Sequence, residues 1–194
     1  IGKIGSKLFK ATAQKHVMLY SSDPEIQALF DAFSMSGRVS VTAENEDYLS
    51  VINTAYGGTK SEPFIEEKIT HDTYIDENGS LVNTVSVKRS HLWTDDIYLR
   101  WRRILKSYGF EDMPDQLIDI LGRGANKVST RIYVPAGSVL LDSNGADVIT
   151  EYDKDLKKTF FRIKMEVTAG ETTEFTIKYR LPFILYFNET LATY

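Results

Sequence analysis

Two stretches near the C-terminal end restrict the fold most, "TFFRIKMEV" and "TTEFTIKYRL", because apolar and polar residues alternate in both. Phe161, Ile163, Met165 and Val167 stand on one face against Arg162, Lys164 and Glu166; Phe175, Ile177, Tyr179 and Leu181 stand against Glu174, Thr176, Lys178 and Arg180. A period of two sends successive side chains to opposite faces of an extended strand, so each segment has one face to cover and one to leave wet. With "TAGETT" between them, the two are expected to pair as antiparallel neighbours.

The same period recurs upstream. "DYLSVINTAY" sets Leu49, Val51 and Ala55 against Tyr48, Ser50 and Thr54, with Ile52 making the second face partly apolar. Ile65, Ile69 and Ile75 share a face of the next segment, "DENGS" supplies turn chemistry, and Leu81, Val85 and Val87 resume on a return strand. "STRIYVPAG" and "SVLLDS" add two more strands. About six or seven strands with one apolar face each favour a β-sandwich.

Helical signals interrupt this pattern twice. Ile1 to about Lys15 places Ile4, Leu8 and Ala11 at helical spacing, and "HVMLYS" then reads as a short buried strand. In "SDPEIQALFDAF", Asp23 is an N-cap, Pro24 takes the first helical position, Glu25 faces the positive end of the dipole, and Ile26, Leu29, Phe30 and Phe33 form an apolar stripe ending near Gly37. Between about Thr94 and Gly124, Asp95 or Asp96 caps a stripe of Ile97, Trp101, Ile104, Leu105 and Tyr108, and Pro114 opens a second helix that Gly122 closes. The fold class is therefore α+β. Residues 1–45 form a helical segment, the tail of a larger upstream region, and residues 46–194 form a mainly antiparallel, β-sandwich-like domain with a helical insertion at about 94–124.

At 194 residues, with 42% hydrophobic and 26% charged residues, the chain has material for a sizeable core. Its net charge is -4 and its Lys and Arg are scattered among acids, which argues against nucleic acid as a partner. The absence of cysteine excludes a disulfide framework, a thiol nucleophile and a thiolate metal site. No apolar run approaches the roughly 20 residues of a membrane span. Because the chain opens on Ile1 without an initiator methionine or signal peptide, it is expected to be a piece of a longer protein.

"NTAYGGTKSE" looks at first like a phosphate-binding loop. Such a loop needs glycine immediately before the lysine and a helix immediately after, whereas Thr59 precedes Lys60 and a strand follows. Two readings remain. Gly57 and Gly58 supply positive φ for a turn between strands, or, with Asn53 and Lys60, they let the loop approach a ligand closely. Asn53, Gly57, Gly58 and Lys60 are thus the candidate binding residues.

No catalytic or metal site emerges. None of His16, His71 and His91 stands at i, i+4 with another ligand on a helix, and His71 and Asp72 point to opposite faces of a strand. "DSNGAD" fails as a calcium loop, with Ala146 at its fifth position and glycine too early, and reads as a polar turn. Glu66 and Glu67 alternate across a strand and cannot share a substrate. The aromatics Trp93, Tyr98, Trp101 and Tyr108 present either a platform for sugar rings or the helix's own core contact; three lie at helical offsets, which favours core. No cofactor is expected.

Taken in order, "HVMLYSSDPEIQALF", "DYLSVINTAYGGTKSEPFIEEKI", "RIYVPAGSVLL" and "FTIKYRLP" resemble an uncharacterised family of bacterial cell-envelope proteins, a domain of unknown function carried behind an N-terminal transmembrane anchor. The resemblance covers most of His16 to Pro182. It departs at Thr94 to Gly124, where that family has a shorter aromatic-containing connection. It implies architecture and location rather than chemistry: an extracytoplasmic, cell-surface domain tethered through an anchor outside this stretch, which itself makes no membrane contact. The functional expectation is a non-catalytic binding or scaffolding module whose partner is envelope polysaccharide or another envelope protein. The alternative is an accessory part of an enzyme handling cell-wall or capsular polymer.

Overall fold

A computed structural model of the chain describes residues 2–14, 16–39, 41–111 and 114–186. The chain divides into two units, Ile1–Val41 and Thr42–Tyr194. In the first, α1 (Gly2–Ala13) is followed by α2 (Pro24–Ala32). Asp23 caps α2 as expected, its Oδ1 accepting from the amides of Glu25 at 2.9 Å and Ile26 at 3.3 Å. The helix ends earlier than Gly37, because Ser34 turns into the left-handed region at φ 53°. "HVMLYS" is not a strand, and Met18 and Tyr20 are exposed. A short apolar run forms a strand only where a neighbouring strand takes up its backbone groups.

Among the described residues, the second unit contains eight strands in two antiparallel sheets. The first has the order β1 (Ser50–Ala55), β4 (Asn126–Pro135), β7 (Lys158–Val167), β6 (Ile149–Asp153). The second has the order β2 (Ile65–Ile75), β3 (Ser80–His91), β8 (Thr172–Ile184), β5 (Val139–Asp142). Their inward faces meet in one core of Val85 and Val87 from β3, Val128, Ile132 and Val134 from β4, Phe161, Ile163 and Met165 from β7, and Phe175, Ile177 and Tyr179 from β8. The arrangement is α+β and sandwich-like.

The faces read from the alternation are the buried faces, but β7 and β8 are not ladder neighbours. Each lies in a different sheet, β7 pairing with β4 and β6, β8 with β3 and β5. The connection Thr168–Glu171 crosses from one sheet to the other, and the two apolar faces cover each other across the core. Alternation states which face is buried and is silent on whether the next strand lies beside it or opposite.

The expected β2–β3 hairpin forms over its whole length, from Ile65 opposite His91 to Ile75 opposite Leu81. β3 is central and buries alternate residues, whereas β2 is an edge strand, exposed along nearly all its length. Between β3 and β4 lie α3 (Asp95–Ser107), α4 (Asp115–Ile118) and one π-helical turn, Asp119–Arg123. Thr94 caps α3 in place of the expected aspartates, its Oγ1 accepting from the Ile97 amide at 3.4 Å. Asp95 and Asp96 occupy the first turn instead, where their charge favours the positive end of the dipole.

Ile163 is 4% exposed at the centre of β7, in the core cluster that both sheets' apolar faces form. Ile163→Ala is expected to destabilise the second unit by about 2–5 kcal/mol in urea unfolding, through lost burial and the cavity left behind; a loss near zero would contradict the shared core.

Candidate functional site

Arg89 and His91 keep the inward parity of Leu81, Val85 and Val87 on β3, so the strand carries a charged and a polar side chain into the end of the sandwich. Arg89 is 1% exposed. A guanidinium cannot shed its charge, so its removal from water has to be compensated by acceptors. Glu67, directly opposite on β2, accepts from Nη1, and Glu62 accepts from Nη2 with both carboxylate oxygens at 2.8 and 3.0 Å. Nη2 also donates to Asn126 Oδ1 on β4 at 3.1 Å. Nε is buried without a protein acceptor among the described residues.

The cluster joins the two sheets at the side where edge strands β1 and β2 face each other. Asn53, inside β1, donates from Nδ2 to Glu67 Oε2 at 2.7 Å and accepts from Thr130 Oγ1 at 2.7 Å. Asn126 Nδ2 donates to Glu62 Oε2 at 2.8 Å and to the buried Ser61 Oγ at 3.1 Å. Every side-chain group of Asn53 and Asn126 is used within the chain.

The cluster reaches the loop 56–64 at Ser61 and Glu62, and further hydrogen bonds hold the rest of it. The Tyr56 amide donates to Lys127 O at 3.0 Å and the Lys60 amide to Ile120 O at 2.7 Å. Thr59 Oγ1 donates to Ala125 O at 3.1 Å. A Cβ on Gly57 would stand 3.0 Å from Lys127 Cβ, so the loop lies against β4 there, and Gly58 turns the chain at φ +74°. Behind it, Phe64 meets the buried Trp93 edge-on, ring centroids 4.7 Å apart. Gly122, at φ +147°, is held against Phe64 where a Cβ would come within 2.2 Å of Cε2.

The four candidate residues therefore separate into two kinds. Asn53 lies within β1, which runs on to Ala55, and its amide is committed to the cluster. Gly57 and Gly58 shape the turn. Lys60 is exposed, with no ion pair among the described residues, above a backbone amide that is fixed. Arg89, Glu62 and Asn126 were not singled out by sequence reasoning, and Glu67 was considered only as one of a carboxylate pair with Glu66. The signal was present: Arg89 and His91 stand at the apolar parity of their strand.

His91 is 1% exposed and its ring is occupied on both sides, Nδ1 facing the Trp93 amide at 3.4 Å and Nε2 facing Gly124 O at 3.3 Å. Burial pushes its pKa down from the ordinary histidine value, so the ring stays neutral. His71 lies 3.7 Å from Asp47 Oδ2, and Asp47 accepts from Asn83 Nδ2 at 2.8 Å; no hydroxyl is hydrogen-bonded to His71 among the described residues. Among those residues, no three His, Asp or Glu side chains gather as a metal would require. Of the aromatic candidates, Trp93 is buried, Tyr98 and Trp101 are half-buried, and Tyr108 is exposed. The turn at "DSNGAD" is held by Ser143 Oγ donating to Ala146 O at 2.8 Å, with Asn144 and Gly145 in the left-handed region. Comparison with protein-family models, curated proteins and solved structures finds no match to this chain.

Two outcomes follow from this geometry. Glu62 and Glu67 side chains are 54% and 24% exposed, against 1% for Arg89, so the carboxylates can rehydrate and the guanidinium cannot. The double variant Glu62→Gln/Glu67→Gln is expected to lose about 3–5 kcal/mol, as for an uncompensated buried charge, and Arg89→Met only about 1–2 kcal/mol; urea unfolding of both variants reads the difference, and equal losses would contradict the asymmetry. For His91 the folded pKa lies below the unfolded one, so the unfolded chain takes up the proton first as pH falls below about 6.5. Its contribution is intact at neutral pH and lost on acidification, so His91→Gln should flatten the fall in stability between about pH 7 and pH 5. An unchanged slope would contradict the buried neutral ring.

Proposed function

We propose that this chain is an extracytoplasmic, non-catalytic binding module of a bacterial cell-envelope protein, and that it meets an anionic envelope polymer at the loop carrying Lys60. One observation carries the reading: Lys60, without an ion pair among the described residues, projects from a loop that is held by the Tyr56 and Lys60 amides and the Thr59 hydroxyl and whose base is held by the Arg89 cluster. A lysine presented on an ordered loop offers charge without ordering the loop at the moment of binding. The polar groups nearest to it are satisfied internally, which supports attraction of a ligand rather than reaction with one. The resemblance to envelope proteins supports a polymer of the cell surface as the anion.

Calorimetry with a teichoic-type polymer tests this. Lys60→Ala should weaken binding several-fold, about 0.5–1 kcal/mol for one exposed charge, with the melting temperature unchanged. Equal affinity of the two proteins, or binding by neither, would remove the recognition role and leave a structural turn.

A further inference from the structure

Among the described residues, no strand pairs with the outer edge of β2, which is eleven residues long. Such an edge is a template for another strand, and proteins commonly blunt it with charge, bulges or a covering element. Here Ile69, Tyr74 and Ile75 are exposed along it at 40, 67 and 41%, and the ladder with β3 runs without a register shift.

The charges on its outer face are arranged unusually. Lys68 stands directly opposite Lys88 on β3, a like-charge pair. Neither the Lys68 nor the Asp72 side chain has a hydrogen bond or ion pair among the described residues. Both face outward from the same side of the sheet, four residues apart, with Thr70 between them.

Antiparallel pairing of β2 with a second β2 must keep inward residues opposite inward residues, which permits only registers with a residue on the two-fold axis. Centred on Thr70, all eleven residues pair. Lys68 then lies opposite Asp72 of the second copy, and by symmetry Asp72 lies opposite its Lys68; Ile65 meets Ile75, and Ile69 meets His71. Moving the centre to Ile69 sets Glu66 against Asp72, and moving it to His71 sets that histidine against itself; both shorten the ladder. The strand is thus complementary to its own reverse in one register, and that register supplies the acid Lys68 lacks.

We propose that β2 is a self-association edge: two copies join antiparallel about Thr70 into one continuous eight-stranded sheet, fixed by reciprocal Lys68–Asp72 pairs. The partner is a second copy of this chain. This is independent of the Lys60 reading.

Sedimentation equilibrium of the wild-type chain should show a dimer. Lys68→Asp and Asp72→Lys should each weaken dimerisation by about tenfold or more, since two symmetry-related pairs become like-charge contacts. Lys68→Asp/Asp72→Lys restores complementarity and should regain wild-type affinity. Mixing the two single variants should give a heterodimer tighter than either homodimer, because all four charges then face opposites. Both side chains are exposed, so thermal melts should remain close to wild type. A lysine acting only to blunt the edge would give no rescue by reversal and no preferred heterodimer. Either of those results, or a wild-type chain that stays monomeric at all concentrations, overturns the proposal.

Discussion

A guanidinium withdrawn from water needs acceptors, and those held by the two Nη groups of Arg89 fix much of its surroundings. The side chain starts on β3 and ends among Glu67 of β2, Glu62 after the glycine loop and Asn126 of β4. Through Asn53, Glu67 reaches β1 as well. One charge thus connects both sheets at the flank where each ends in an edge strand. The apolar core makes the sheets face each other; this network sets how their β1 and β2 edges meet.

The loop inherits its order from the same source. Glu62 and Ser61 are drawn inward by Arg89 and Asn126, and Thr59 and Lys60 are thereby brought against Ala125 and Ile120. Gly122 lets Phe64 and Trp93 close underneath, since a Cβ there would overlap the Phe64 ring. The Lys60 side chain remains outward. A loop of two glycines and small polar residues would have little intrinsic order; here its conformation is imposed by what lies beneath it.

The legible part of this structure was local. Asp23, Pro24 and Glu25 specify a helix start through backbone amides within one turn, and "DENGS" specifies the β2–β3 turn, where Asp76 Oδ1 accepts from Asn78 and Ser80 amides at 2.9 and 2.8 Å. The alternation in β7 and β8 identified their buried faces. Their partners were not legible, because pairing depends on strands far away in sequence. β2 read as half-buried from its isoleucines and is an exposed edge for the same reason. Of the site, the glycine turn and the exposed Lys60 were legible from composition. Arg89 was missed because a charge at an apolar parity becomes meaningful only once Glu62, Glu67 and Asn126, separated widely along the chain, are brought around it.

Hydrogen exchange at the Tyr56 and Lys60 amides, compared with Ile163 in β7, measures most directly whether Arg89 orders the loop. In Arg89→Met, protection of the two loop amides should fall about tenfold further than that of Ile163, because the loop opens locally while the core holds. Equal losses at all three amides, or unchanged protection in the loop, would show that the loop's order does not depend on the buried guanidinium.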